Sequence, residues 1–214
     1  FDPGVSEVDL VIFWPGQGYG TQRLVLEHER YGVGPALAAA GIAPGESSEV
    51  LVLVVKQSRR PWKKVARTIA RLESEYGIRV RSKVLGCWSG GSSGSSTALN
   101  ADEHFVGWFM ADPSPAVARR RSWPRGAPKA RLDVLRVWRN VDNWGHLAGP
   151  GGFYRRDISH FLERVSDLGG EMIENKRNHK ELLLMGLTAA IEAVGSQRSL
   201  SRYDVQTALV EPAG

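Results

Sequence analysis

Short apolar runs alternate along the chain with stretches whose apolar positions recur every three to four residues. Residues 8–14 (VDLVIFW) form one such run, closed by Pro15-Gly16, and predict a buried strand entering a loop. Residues 49–55 (EVLVLVV), 79–88, 105–110 (FVGWFM), 132–138 (LDVLRVW) and 171–175 predict five more. Between them, residues 62–76 carry the clearest helical pattern. Val65, Ile69, Leu72 and Tyr76 share one face, Lys and Arg fill the other, and Gly77 ends the run. Further helices are expected at 21–40 (interrupted near Gly32-Val33-Gly34-Pro35), 89–100, 158–168 and 180–194. Strands that are apolar almost throughout are those covered on both faces. The alternation therefore predicts an α/β fold: a three-layer α/β/α sandwich around a mostly parallel sheet. Residues 1–195 read as one domain and 196–214 as a C-terminal tail. Residues 114–130, rich in Pro, Arg and Ser, read as a surface excursion, and residues 143–153 as a glycine-rich loop.

Composition narrows this picture in a few places. With 214 residues, 42% of them hydrophobic, the chain can bury a core without staples. Its one cysteine, Cys87, excludes an internal disulfide and a cysteine-rich zinc site, and it does not fix a compartment. No apolar run approaches the roughly 18 residues of a membrane span, so no transmembrane segment is expected. The start, Phe1-Asp2-Pro3-Gly4, lacks the plan of a signal peptide and an initiator methionine, and reads as that of a processed or excised piece. The net charge of +5 is concentrated in Arg119, Arg120, Arg121, Arg125, Lys129 and Arg131. Such a segment is a solvated basic loop or a lure for an anionic substrate or surface. Without zinc-finger spacing or RNP-type aromatics, nucleic acid is not an expected partner. His-Glu-x-x-His and Asp-rich loops are absent from the sequence, so neither a metal nor a cofactor is expected.

The chemistry centres on residues 84–96, VLGCWSGGSSGSS. An apolar strand runs straight into Ser89, with small residues two positions to either side (Cys87 and Gly91), and a helix follows. A serine on so sharp a turn is strained and exposed, and the helix start behind it offers N–H groups to a developing oxyanion. This segment resembles the nucleophile elbow of the α/β-hydrolase superfamily, Gly-x-Ser-x-Gly. Cys87 stands where the first glycine would. The literal match lies later, in Gly90-Gly91-Ser92-Ser93-Gly94, which makes Ser92 the alternative nucleophile. The bland reading is a Gly/Ser-rich loop. Trp14-Pro15-Gly16-Gln17-Gly18-Tyr19-Gly20 is similar to the superfamily's His-Gly-x-x-Gly turn, with Pro15 in place of histidine. By that resemblance the N–H groups of Gln17 and Gly90 form the oxyanion hole. A phosphate cradle is the other reading of the turn, but no Gly-Lys-Ser/Thr follows it.

The superfamily order of serine, acid and histidine implies a base after the last strand. Of His28, His104, His146, His160 and His179, it is His179 that follows the strand at 171–175 and precedes the final helix. His146, in the glycine-rich loop, is held in reserve. His160 reads as a structural helix residue, and His28 and His104 as surface residues. Asp142, past the strand at 132–138, stands at the usual acid position. Asp112, ending the preceding strand, stands where a minority of the superfamily keeps its acid. Asp142 is preferred and Asp112 is the alternative. The implied activity is cleavage of an ester or related acyl bond through a Ser-His-Asp triad and an acyl-enzyme. The substrate is a small-molecule or polymer acyl compound, anionic ones included. Trp88, Trp144 and Tyr19 are candidate substrate-binding residues, although a packed core tryptophan explains Trp88 equally well. The competing reading is a non-catalytic module of the same fold, serving binding or assembly within a larger protein.

Overall fold

A computed structural model describes residues 7–16, 20–43, 49–55, 61–100, 104–119, 123, 132–142, 144 and 155–195. The elements follow one another as β1 (Glu7–Trp14), α1 (Thr21–Glu27), α2 (Val33–Ala39), β2 (Val50–Val54), α3 (Pro61–Tyr76), β3 (Arg79–Trp88), a 3-10 turn (Ser89–Gly91), α4 (Ser92–Ala98) and β4 (Phe105–Ala111). A second 3-10 turn (Pro115–Arg119) leads to β5 (Leu132–Asn140), α5 (Arg155–Asp167), β6 (Glu171–Asn175) and α6 (His179–Gly195).

The six strands form one sheet in the order β2-β1-β3-β4-β5-β6, and every pairing is parallel. The chain therefore starts inside the sheet, steps to one edge, then crosses back and runs to the other. The reversal falls between β1 and β3. At such a switch point the loops leaving the carboxyl ends of neighbouring strands diverge and open a crevice, the usual ligand position in open α/β sheets.

Alternation along the strands sorts the core into two layers. Leu10, Ile12 and Trp14 of β1, Leu85 and Cys87 of β3, and Trp108 and Met110 of β4 point to one face. There they meet Val65 of α3, Ala98 of α4, and Phe161 and Val165 of α5. Val11, Phe13, Val84, Trp88, Phe109 and Ala111 point to the other, against Val25 of α1, Ala36 of α2 and the apolar α6. Helix α6 carries buried residues nearly throughout, from Leu182 to Val194, because it lies between the sheet and α2. This is the expected three-layer α/β/α sandwich around a parallel sheet.

One sequence expectation fails here. The segment after β4 is no mere surface excursion, because Val117, Ala118 and Trp123 are buried. Trp123 packs its ring 5.2 Å from Trp108 and 5.5 Å from Phe161, closing the space between β4 and α5. The basic residues Arg120, Arg121, Arg125, Lys129 and Arg131 lie outside the described residues, as does the tail at 196–214. Among the described residues, no helix is long and apolar enough to cross a membrane.

Close packing where β1 meets the start of α4 fixes the turn between β3 and α4. A Cβ on Gly91 would stand 2.2 Å from the Trp14 carbonyl oxygen and 2.5 Å from that of Pro15. Backbone atoms cannot retreat as side-chain ends can, so only glycine fits there. A Cβ on Gly94 would come within 2.3 Å of the Trp14 ring. Gly91→Ala is accordingly expected to destabilise the fold by about 2–4 kcal/mol, read as a lowered urea midpoint. An unchanged midpoint would contradict this packing.

Candidate active site

The carboxyl ends of β3 and β4 lie level, with Trp88 opposite Ala111, while β5 runs two residues past Trp138, the residue opposite Ala111. The residues just past these ends therefore share one rim. Ser89, the first residue past β3, has φ +53°, and Asp112, the first past β4, has φ +42°. These are the described non-glycine residues with positive φ. An L-residue enters that region at a cost, so each must be held there by its surroundings.

Ser89 is held through its carbonyl oxygen. That oxygen accepts from Ser114 N–H at 3.2 Å and from the Ser92 hydroxyl at 3.1 Å. The Ser89 side chain is half-buried, and Gly16, at the end of β1, lies beside it: a Cβ on Gly16 would sit 3.2 Å from Ser89 Cβ. Ser92, the alternative nucleophile, is fully buried and spends its hydroxyl on the Ser89 carbonyl, so it has no access to a substrate. Cys87, at the departed glycine position, points away from the rim into the core. Its thiol lies against Ser95 and Trp108, and burial pushes its pKa up to about 12. Ser95 in turn accepts from the Trp108 indole at 3.0 Å and donates to the Ser92 carbonyl at 3.1 Å, which pins α4 to the sheet beneath the turn.

Asp112 is the acid that meets the histidine. Its Oδ2 lies 2.5 Å from His179 Nδ1. Its Oδ1 accepts from the Asn140 N–H at 3.2 Å and from the Trp144 indole N–H at 3.0 Å. The Asp112 side chain is wholly inaccessible, whereas that of His179 is 38% exposed. The preferred acid, Asp142, is exposed, two residues past the end of β5, and the carboxylate that the structure brings to His179 is the alternative, Asp112. Asp112 leaves the end of β4, the strand beside β3, and its carboxylate is held there by Asn140, Trp144 and His179.

His179 is the first residue of α6, and a capping box orients it. Asn178 Oδ1 accepts from the N–H groups of Lys180 and Glu181, both at 3.0 Å, while Glu181 Oε2 accepts from Asn178 N–H at 3.0 Å. The loop before it is fastened by Arg177 N–H to Asn175 Oδ1 at 2.7 Å and by Asn140 Nδ2 to the Arg177 carbonyl. The helix cap was readable as Asn-x-x-Glu in the sequence; the part played by Asn140 left no signal there.

Two tryptophans expected to line the substrate site are buried instead. Trp144 is 3% exposed, packs on Phe161 and donates to Asp112. Trp88 is 6% exposed and donates its indole N–H to the His179 carbonyl at 2.9 Å. Both support the site from behind. Gly90, half-buried in the 3-10 turn, follows Ser89 directly. Gln17, Tyr19 and the reserve base His146 lie outside the described residues. His28 stacks on Tyr31, His104 pairs with Asp133 at 3.2 Å, and His160 lies 3.7 Å from Glu163, so these three face other partners. Among the described residues no group of three or more His, Cys, Asp or Glu could hold a metal ion.

Two outcomes follow for this arrangement. Cys87 should resist a thiol-colouring disulfide reagent at pH 8 in the folded protein and react fully in denaturant; rapid reaction of folded protein would contradict its burial. Trp144→Phe keeps the ring packing but removes one donor from a buried carboxylate. It should cost about 1–3 kcal/mol in chemical denaturation, and no loss would mean that the indole N–H does not serve Asp112.

Neither a family model nor a curated protein matches this chain. Among solved structures, the chain is similar to a lipase/esterase from Lactobacillus plantarum, at 13% identity over 81% of this chain and 78% of that one, with a TM-score of 0.45. It is also similar to a siderophore hydrolase from Aspergillus nidulans, at 13% identity over 89% of this chain and 85% of that one, with a TM-score of 0.41. The chain's own strand order is that of an open, doubly wound parallel sheet, with Ser89 at its switch point.

Proposed function

We propose that this chain is a serine hydrolase that cleaves an ester or related acyl bond with Ser89 as nucleophile, His179 as base and Asp112 as acid. The observation that carries the reading is the buried Asp112 carboxylate 2.5 Å from His179 Nδ1, on the same rim as a serine at φ +53°. A serine hydroxyl is a weak nucleophile until a base removes its proton. With Nδ1 turned to Asp112, His179 has Nε2 left to take that proton. As Ser89 Oγ bonds to the substrate carbonyl carbon, the proton passes to Nε2, and the carboxylate steadies the imidazolium that results. Collapse of the tetrahedral adduct breaks the bond to the leaving alkoxide, which takes the proton from His179. Water then repeats the sequence on the acyl-enzyme and frees Ser89.

The oxyanion needs donors on the opposite side of the carbonyl. Gly90 N–H, at the start of the turn into α4, is one, and by resemblance to the superfamily the N–H of Gln17 is the other. An ester is the substrate class favoured, because its leaving group requires the least activation. No cofactor enters this scheme.

The test is turnover of short p-nitrophenyl esters by wild type and variants. Ser89→Ala should lose about a thousandfold or more in kcat, Asp112→Asn about a hundredfold or more, and Asp142→Asn less than about threefold. Loss of turnover in Asp142→Asn with Asp112→Asn unaffected would overturn the assignment of the acid. Turnover retained in Ser89→Ala would overturn the assignment of the nucleophile.

A further inference from the structure

Trp88 is the residue immediately before Ser89, and it reaches His179 in two ways. Its indole N–H donates to the His179 carbonyl at 2.9 Å, across 91 residues of chain. Its ring lies beside the imidazole with centroids 4.5 Å apart and planes inclined at 35°. The side chain itself is buried, on the face of the sheet that α6 covers. It is thus out of a substrate's reach but in contact with the proposed base. Packing alone explains a buried tryptophan under a helix; it does not require the one indole N–H to go to the backbone of the one histidine that faces Asp112.

We infer that Trp88 is a positioning residue, which straps His179 to the serine turn and favours its imidazolium through the face of the indole. This rests on the serine-hydrolase reading for its catalytic meaning but not for its physical content. The N–H bond fixes the start of α6 relative to Ser89, because donor and nucleophile are consecutive residues. The ring supplies the second part. Tryptophan has the most negative face of the aromatic side chains, and a cation within about 6 Å of its centroid is attracted to it. When His179 takes the serine proton, the charge that forms therefore meets Asp112 at Nδ1 and Trp88 against the ring. Asp112 contacts the ring from the end of β4, Glu181 is engaged in the helix cap, and Lys180 and Arg177 are chain neighbours whose described contacts are not with the imidazole. Lys176 is exposed on the same loop.

Two substitutions separate the two parts. Trp88→Phe keeps an aromatic face and removes the N–H; Trp88→Leu removes both. The first readout is the chemical shift of the His179 ring protons, followed by NMR in the full chain. The indole ring lies 4.5 Å from the imidazole, so losing it removes its ring current and those shifts should move in Trp88→Leu, and by less in Trp88→Phe. The second readout is ester hydrolysis. Trp88→Phe should lower kcat about fivefold or more with KM little changed, because the strap orients the base and does not bind substrate. Unmoved ring-proton shifts in folded Trp88→Leu, or a Trp88→Phe enzyme with wild-type kcat, would overturn the inference. If Trp88→Leu does not fold, the kcat of Trp88→Phe decides it. If wild type hydrolyses no ester, the serine-hydrolase reading fails, while the His179 ring-proton shifts still test the contact itself.

Discussion

A carboxylate without access to water is the constraint around which this rim is built. Left alone, a buried charge costs several kcal/mol, and a native chain keeps one only where donors converge on it. Donors reach Asp112 from different parts of the chain, among them the backbone of Asn140 at the end of β5, the indole of Trp144 just beyond it, and the imidazole of His179 at the head of α6. Satisfying that one group obliges the chain after β5 to fold back over the strand ends. It likewise obliges the loop after β6 to deliver His179 to a set place. Asn140 serves both needs, since its side chain also fastens the Arg177 carbonyl two residues before His179.

The second half of the rim is held from below. Ser89 could relax out of its left-handed conformation if the turn had room. It is packed closely instead: the carbonyls of Trp14 and Pro15 stand against Gly91, where even a Cβ would not fit. The serine-rich helix α4 completes this arrangement. Its hydroxyls bond back to carbonyls of the preceding turn, and its small residues let it lie close to the sheet. Strain at the turn is thus held by packing in the layer that contains Trp14, Cys87 and Trp108.

Local pattern carried much of this. The strand at 79–88 was readable to its ends from apolar content and turn residues, and the helix at 62–76 from its period. The sharp turn at Ser89 was readable too, because an apolar strand running into Gly and Ser must bend there. What the sequence could not supply were facts set by backbone angle and by distant partners. Whether Asp142 or Asp112 meets the histidine turned on a contact across 67 residues, which no residue type reveals. Trp88 and Trp144 read as substrate walls because they adjoin the site in sequence. In the fold they serve its reverse side, and the hydrogen bonds that put them there cross 91 and 32 residues. Trp123 was hidden for a different reason: its neighbours are Arg, Ser and Pro, and their composition masked a single buried anchor.

The central claim is that Ser89 is activated by His179. Its most direct test is incubation of the folded protein with a fluorophosphonate probe, followed by peptide mass spectrometry. Ser89 should carry the adduct in wild type and lose it in His179→Ala. An adduct on another serine, or none on folded wild-type protein, would contradict the claim.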